Sequence, residues 1–238
     1  MRASPVEVIN AVLPPALQSF DPRKVPVVAV DSGLPPVDPA RLRIDALRER
    51  FSAPPAWTPE LRREPRMTDR APAQAAVLVP IVMRDEPTVL LTERSSHLKN
   101  HSGQVAFPGG RVDPEDANIA AAALREAWEE VGLSAEYIEI LGSLPTYTTV
   151  TSFIVTPVVA LVRPGFALSL NPYEVEEAFE VPFSFLMNPA NHRRHALVGD
   201  DEQARQWLSM PYQDGPNERY VWGATAGMLR NLYRFLSA

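Results

Sequence analysis

The chain has 238 residues, 23 basic and 29 acidic side chains, a formal net charge of −6, 25 prolines and no cysteine. Without cysteine there is no disulfide framework, thiol nucleophile or Cys-ligated metal, and the mild acidic excess argues against a broad nucleic-acid footprint. The longest uncharged apolar run, Ala75 to Met83, is too short to span a bilayer, and Pro5, Pro14 and Pro15 interrupt any signal peptide, so a cytoplasmic protein with no membrane partner is expected.

Composition divides the chain near residue 72. Residues 1–72 hold 13 of the 25 prolines, a single glycine at Gly33 and a net charge of +2, leaving −8 for the remainder. The first part reads as an extended, proline-rich N-terminal extension with one short helix, about Pro39 to Phe51, where Leu42, Leu47 and Phe51 share a face. Residues 73–238 read as one domain. Ala75–Met83 and Thr88–Arg94 predict two strands joined by a turn at Asp85-Glu86-Pro87. Gln104–Phe107 is a short apolar piece ending at Pro108-Gly109-Gly110, and Asn118–Val131 predicts a helix stopped by Gly132. Tyr137–Leu144 and Phe153–Val162 predict strands. A mixed stretch runs through Met187. Val221–Leu236 predicts an amphipathic helix, with Trp222, Thr225, Leu229, Leu232 and Leu236 as a core stripe. Alternating strands and helices give an α/β or α+β core.

The informative helix is acidic. With Glu126 at the origin of a helical wheel, Glu129 falls at about 300° and Glu130 at about 40°, on one face. Leu124, Ala127, Trp128 and Val131 take the opposite, buried face. Glu126 and Glu130 form a like-charge i,i+4 pair near a helix C-terminus, where both neighbour repulsion and the macrodipole disfavour anions. From the helix alone, two readings stand: a solvated acidic face, or carboxylates awaiting a hard cation such as Mg²⁺. Arg125 lies one turn before Glu129, within reach of a charge-assisted hydrogen bond. Gly109-Gly110 suits a tight turn with close backbone approach. Asp113, Glu115 and Asp116 add carboxylates before the helix, and Asp116 or Asn118 serves as N-cap.

Taken together, these residues resemble the Nudix box, G-x5-E-x7-R-E-U-x-E-E-x-G-U. Arg125–Leu133 matches its second half, with Ala127 where a bulky apolar residue is usual. The first half departs from the pattern: from Gly110, five residues lead to an Asp, Asp116, and eight more separate it from Arg125. Residues 90–116, LLTERSSHLKNHSGQVAFPGGRVDPED, resemble a Nudix subgroup that hydrolyses coenzyme A and that carries this spacing and Asp itself. The likeness extends through LPTYTTVTSFIVTP, NPYEVEEAFEVPFSFL and WGATAGML.

The resemblance implies a Nudix-type α/β/α sandwich with a mixed sheet, and metal-dependent hydrolysis of a diphosphate linkage. Coenzyme A or its derivatives would yield 4′-phosphopantetheine and 3′,5′-adenosine bisphosphate. It implies Glu126, Glu129 and Glu130 as ligands to Mg²⁺ or Mn²⁺, with Asp116 as a further contributor and Arg125 orienting Glu129; one of the carboxylates would also orient or deprotonate the water. Arg94, Lys99, His101, Gly109, Gly110 and Arg111 are the candidate substrate contacts. Ser95, Gly103 and Gln104 belong to the subgroup pattern without a role derivable from sequence. A possible homodimer is also implied. Glu174, Glu176 and Glu177 form a second acidic cluster, read as salt-bridged surface acids over the alternative of a base or metal ligand from a downstream loop, and His192–His195 reads as an exposed loop over the alternative of a phosphate contact. The alternatives are another nucleoside diphosphate derivative (ADP-ribose, a dinucleotide, an NTP) as substrate, or a nucleotide sensor without catalysis.

Overall fold

The computed structural model describes residues 21–65, 68, 71–96, 103–198 and 204–238. Among them run the strands β1 (Val27–Val30), β2 (Ala73–Val82), β3 (Thr88–Arg94), β4 (Val105–Ala106), β5 (Gly109–Arg111), β6 (Ile138–Ser143), β7 (Tyr147–Thr148), β8 (Phe153–Val162), β9 (Val175–Pro182), β10 (Arg193–Val198), β11 (Ala204–Asp214) and β12 (Asn217–Trp222). The α-helices are α1 (Ile44–Ser52), α2 (Ile119–Val131), α3 (Phe183–Leu186) and α4 (Gly223–Ser237).

The larger sheet is mixed and centred on β2. Strand β2 pairs in parallel with β8 over Ala73↔Phe153 to Val82↔Val162. Both strands are near-continuous apolar runs because helices cover both faces. The sheet forks on the other side of β2. Its far end pairs with β3 through Ile81↔Val89, and its near end pairs with β5 through Ala76↔Gly110. Strand β4 instead follows β3. Pro80 sits at the fork. The Leu78 N–H bonds to the Pro108 carbonyl on that side. By strand alternation, residue 80 would direct its N–H to the same side, where no strand needs it.

One face of this sheet, with Ala76, Leu78, Val82, Leu90, Val158 and Ala160, packs on Ala122, Ala123, Ala127 and Val131 of α2. The opposite face, with Val79, Ile81, Leu91, Val159 and Leu161, packs on Leu229, Leu232 and Leu236 of α4. The result is an α/β/α sandwich with a mixed sheet. A second, antiparallel sheet runs β1-β10-β11-β12.

The helix expected over Pro39–Phe51 is a 3-10 turn, Pro39–Leu42, followed by α1. Leu42 and Leu47 are buried in the α4-side core, and Phe51 packs at a tilt against Phe235 with ring centroids 4.8 Å apart. Residues 21–65 therefore lie against the main core. Leu61 and Asn231 exchange hydrogen bonds of 3.0 and 2.6 Å, and the Tyr233 hydroxyl donates to the Pro35 carbonyl at 2.9 Å.

Three expectations are corrected. Val221 and Trp222 end β12 rather than begin a helix, and α4 is buried on almost every side, including Arg230 and Asn231, instead of being amphipathic. Trp128 is 59% exposed, because the small Ala123 and Ala127 let α2 lie close to the sheet and turn residue 128 outward. His192–His195 is no exposed loop. His192 and His195 are buried, and Arg193–Val198 forms β10, whose Arg194 is neutralised by residues far away in sequence. No helix among the described residues is long and apolar enough to cross a membrane.

Candidate active site

The site forms where β5 enters the fork. The Asn118 side chain caps α2 by accepting the Ala121 N–H at 2.9 Å. Gly132 ends the helix at φ 68°, donating to the Trp128 carbonyl at 2.9 Å, which is the left-handed cap that glycine favours. With its Ala/Val stripe on the sheet, α2 aims Glu126 and Glu130 inward at Gly109-Gly110. The wheel grouped these carboxylates on one face, but that face runs from exposed Glu129 to Glu130, which is only 3% exposed.

Gly110 leaves room for that approach, and Gly109 lets β5 lie close against β2. A Cβ on Gly109 would stand 2.4 Å from the Ala76 carbonyl oxygen, and one on Gly110 would stand 2.5 Å from the Glu126 carboxyl carbon. The Gly109 N–H donates to Glu130 Oε2 at 3.0 Å.

Arg125 ties the remaining carboxylates together. Its Nε and Nη2 donate to the two oxygens of Asp116 at 3.0 and 2.9 Å. Nη1 donates to Glu126 Oε1 at 3.0 Å and to Glu129 Oε2 at 2.9 Å, and Nη2 also reaches the Arg111 carbonyl at 3.0 Å. These bonds hold the Asp116 carboxyl below its ordinary pKa. Both Asp116 oxygens are thus engaged by Arg125, which anchors the loop before α2 to the helix.

Glu126 and Glu130 are under opposite stress. Burial pushes Glu126 up to about 7 against the pull of Arg125, with Glu129 and Glu174 adding repulsion. Burial pushes Glu130 up to about 8 against Arg94 and the Gly109 N–H, with Glu126 and Glu174 adding repulsion. Arg94 ends β3, and its Nη1 lies 3.8 Å from Glu130 Oε1, too long for a hydrogen bond. Its Nε is buried without an acceptor among the described residues. Arg111 is exposed on β5. Lys99 and His101 lie outside the described residues.

Of the two readings the sequence left for Glu174, surface acid or downstream-loop contributor to the site, its position fits the second: it stands near the two inward glutamates. The loop before β9 folds over the end of α2, with Asn171 N–H on the Glu130 carbonyl at 2.9 Å. The Asn171 amide donates to Glu174 Oε1 at 3.0 Å. Ser95 fixes the same loop, its N–H on the Glu174 carbonyl at 3.0 Å and its hydroxyl on the Pro172 carbonyl at 2.9 Å. The one signal in sequence was the Asn171-Pro172 turn ahead of the acids. Glu177 behaves as expected of a paired acid, bonded to Arg219 at 2.7 Å.

The donor set suits a hard divalent cation: carboxylate oxygens only, two of them desolvated, with mutual repulsion that their arginines do not relieve. Among the described residues, no three such side chains already form a closed cage. Arg125 Nη1 lies between Glu126 and Glu129 in the middle of the acidic face.

An α/β/α sandwich that turns helix carboxylates onto a Gly-Gly strand is the class of fold that the sequence resemblance implied. The NUDIX domain model matches residues 72–210, more than half of the chain. The chain therefore belongs to the Nudix family. It is 46% identical over 159 residues to a protein named uncharacterized Nudix hydrolase NudL of Enterobacter sp. (strain 638), covering 67% of this chain and 80% of that one. It is 43% identical over 191 residues to the protein of the same name from Shigella flexneri serotype 5b (strain 8401), covering 80% and 93%. Among solved structures, a C. elegans Ap4A hydrolase binary complex aligns at TM-score 0.40 and 22% identity, covering 46% of this chain and 80% of that chain.

Proposed function

We propose that this protein hydrolyses a diphosphate linkage in a nucleotide derivative with Mg²⁺ or Mn²⁺, and that its substrate is coenzyme A or a derivative, cleaved to 4′-phosphopantetheine and 3′,5′-adenosine bisphosphate. The observation that carries the first part is the pair of desolvated carboxylates, Glu126 and Glu130, raised to about 7 and about 8 in the site. Burying such a pair is costly unless a cation joins them. The coenzyme A assignment is supported by the subgroup pattern over residues 90–116.

Glu126, Glu129 and Glu130 would hold the cation, and Asp116 would act through Arg125 by fixing the loop. The cation supplies charge neutralisation at the diphosphate and activation of water. Arg125 keeps Glu129 and Glu126 in place. Gly109 holds Glu130 by its N–H, and Gly110 leaves room for Glu126. Arg94 and Arg111, on the two arms of the fork, offer cationic donors to phosphate oxygens. Residues 73–238 form the hydrolase domain in this reading, with 1–72 as its extension.

Mass spectrometry of products from coenzyme A, with and without Mg²⁺, tests the proposal. The two named products are expected only with the metal, and Glu129→Gln and Glu130→Gln should abolish most of the turnover in folded protein. Wild-type rates in both variants would overturn the metal assignment. Faster cleavage of a nucleoside diphosphate derivative lacking the 3′-phosphate would overturn coenzyme A as the substrate.

A further inference from the structure

A cavity of about 180 Å³ lies on the α4 side of the sheet, and residues 21–65 form part of its wall through Val28, Leu61, Arg63 and Glu64. Its innermost acid is Glu64, half-buried overall, with a carboxylate deep enough that burial raises its pKa. The Tyr147 hydroxyl donates to Oε1 at 3.2 Å and the Val150 N–H donates to Oε2 at 2.9 Å. Among the described residues no cation pairs with this carboxylate, and each oxygen keeps a lone pair for another donor. The wall also includes Trp207, stacked on His195 at 5.4 Å with 7° between the rings.

A short chain of neighbouring residues links the cavity wall to the candidate active site. Arg94, 3.8 Å from Glu130, donates its backbone N–H to the Gln104 carbonyl at 3.1 Å. Gly223 then stands between Gln104 and the cavity: a Cβ placed there would lie 3.9 Å from Gln104 Nε2 and 3.9 Å from Glu64 Oε1. In the sheet, Arg111, Ala75, Val155 and Tyr147 are in register on four neighbouring strands. Three strand spacings make about 14 Å across, within reach of an extended nucleotide.

Building on the diphosphate hydrolysis above, we propose that this cavity is the base subsite, taking an amino-bearing purine, with Glu64 accepting the exocyclic N–H and the Trp207 wall flanking the ring. A flat aromatic wall suits any base, whereas a desolvated acceptor discriminates: adenine presents N–H there, and hypoxanthine presents an oxygen. An acceptor facing an acceptor leaves both unpaired, the mismatch that polar sites reject most strongly. The N-terminal extension thereby supplies a specificity-determining residue.

The test uses AMP and IMP, which hold no diphosphate, so its outcome is independent of hydrolysis. By calorimetry the full chain should bind AMP about tenfold or more tighter than IMP, and Glu64→Gln, which can donate as well as accept, should bring the ratio below about threefold. Equal affinities in the wild type, or an unchanged ratio in folded Glu64→Gln, would overturn the proposal. A second readout needs no variant. Photolysis of 8-azido-AMP on the wild-type chain should label peptides carrying Tyr147 or Trp207, and labelling confined to other peptides would overturn it.

Discussion

Glu130→Gln is expected to stabilise the metal-free protein at high pH while it removes activity. Glu130 is buried, and burial, with Glu126 and Glu174 nearby, lifts its pKa from 4.5 to about 8. A raised acid binds its proton more tightly folded than unfolded. Its contribution is therefore fully present below about pH 4.5 and lost as pH rises through about 8. At roughly 1.4 kcal/mol per pH unit, the fully ionised limit is a loss of about 5 kcal/mol. Gln keeps the shape and an oxygen to accept the Gly109 N–H, so it retains the hydrogen bond without the charge. Urea unfolding in EDTA at pH 5, 7 and 9 would measure the difference. The variant should match wild type within about 1 kcal/mol at pH 5 and exceed it by a few kcal/mol at pH 9, with Mg²⁺ restoring the wild type alone. A variant less stable than wild type at pH 9, or one with the same pH slope, would refute the reasoning that this carboxylate is held in the fold at a cost.

Two further substitutions test the parts around it. Arg125→Lys keeps the charge but not the planar fork that engages Asp116, Glu126, Glu129 and the Arg111 carbonyl; it should cost about 2 kcal/mol of stability in denaturant unfolding and lower kcat by at least about tenfold. Gly110→Ala puts a methyl 2.5 Å from the Glu126 carboxyl carbon, and displacing that carboxylate by about 1 Å should lower kcat by about a hundredfold, with the circular dichroism spectrum unchanged.

The parts of this molecule legible in the sequence are those set by local pattern. β2 and β3, α2 with its Gly132 stop, and β8 follow from apolar periodicity and turn residues, and they stand within a residue or two of expectation. A helical wheel could group Glu126, Glu129 and Glu130, but not say what faces them. That depended on two residues with no side chain at all: Gly110, which leaves room for Glu126, and Gly109, which lets β5 close on β2. β10 was hidden for the opposite reason. His192–His195 is polar enough to pass for a loop, and its burial depends on Asp31 and Glu60, more than 130 positions away. Glu174 likewise reaches the site only because Ser95 and Asn171 fold its loop over α2.

That contrast separates two kinds of buried charge in one chain. Around α4, Arg230 is 1% exposed, yet it pairs with Asp31 at 3.1 Å and with Glu60 at 2.7 Å, while Arg194 pairs with the same two acids at 2.7 Å each. Burial alone would raise both acids, but the two arginines hold them below their ordinary pKa. His192, pushed down to about 4 mainly by burial, stays neutral beside Arg230. With Arg234 also 4.0 Å from Glu60, three cations meet two anions, so the cluster needs no further positive charge, and its role is to fasten residues 31 and 60 to β10 and α4. The α2 cluster has arginines too, but the guanidinium of Arg125 is shared among three acids, and Arg94 stops short of a hydrogen bond to Glu130. Glu126 and Glu130 consequently rise where Asp31 and Glu60 fall. One buried charge cluster is thus satisfied and the other is left in deficit of positive charge, a deficit that the proposed cation would fill.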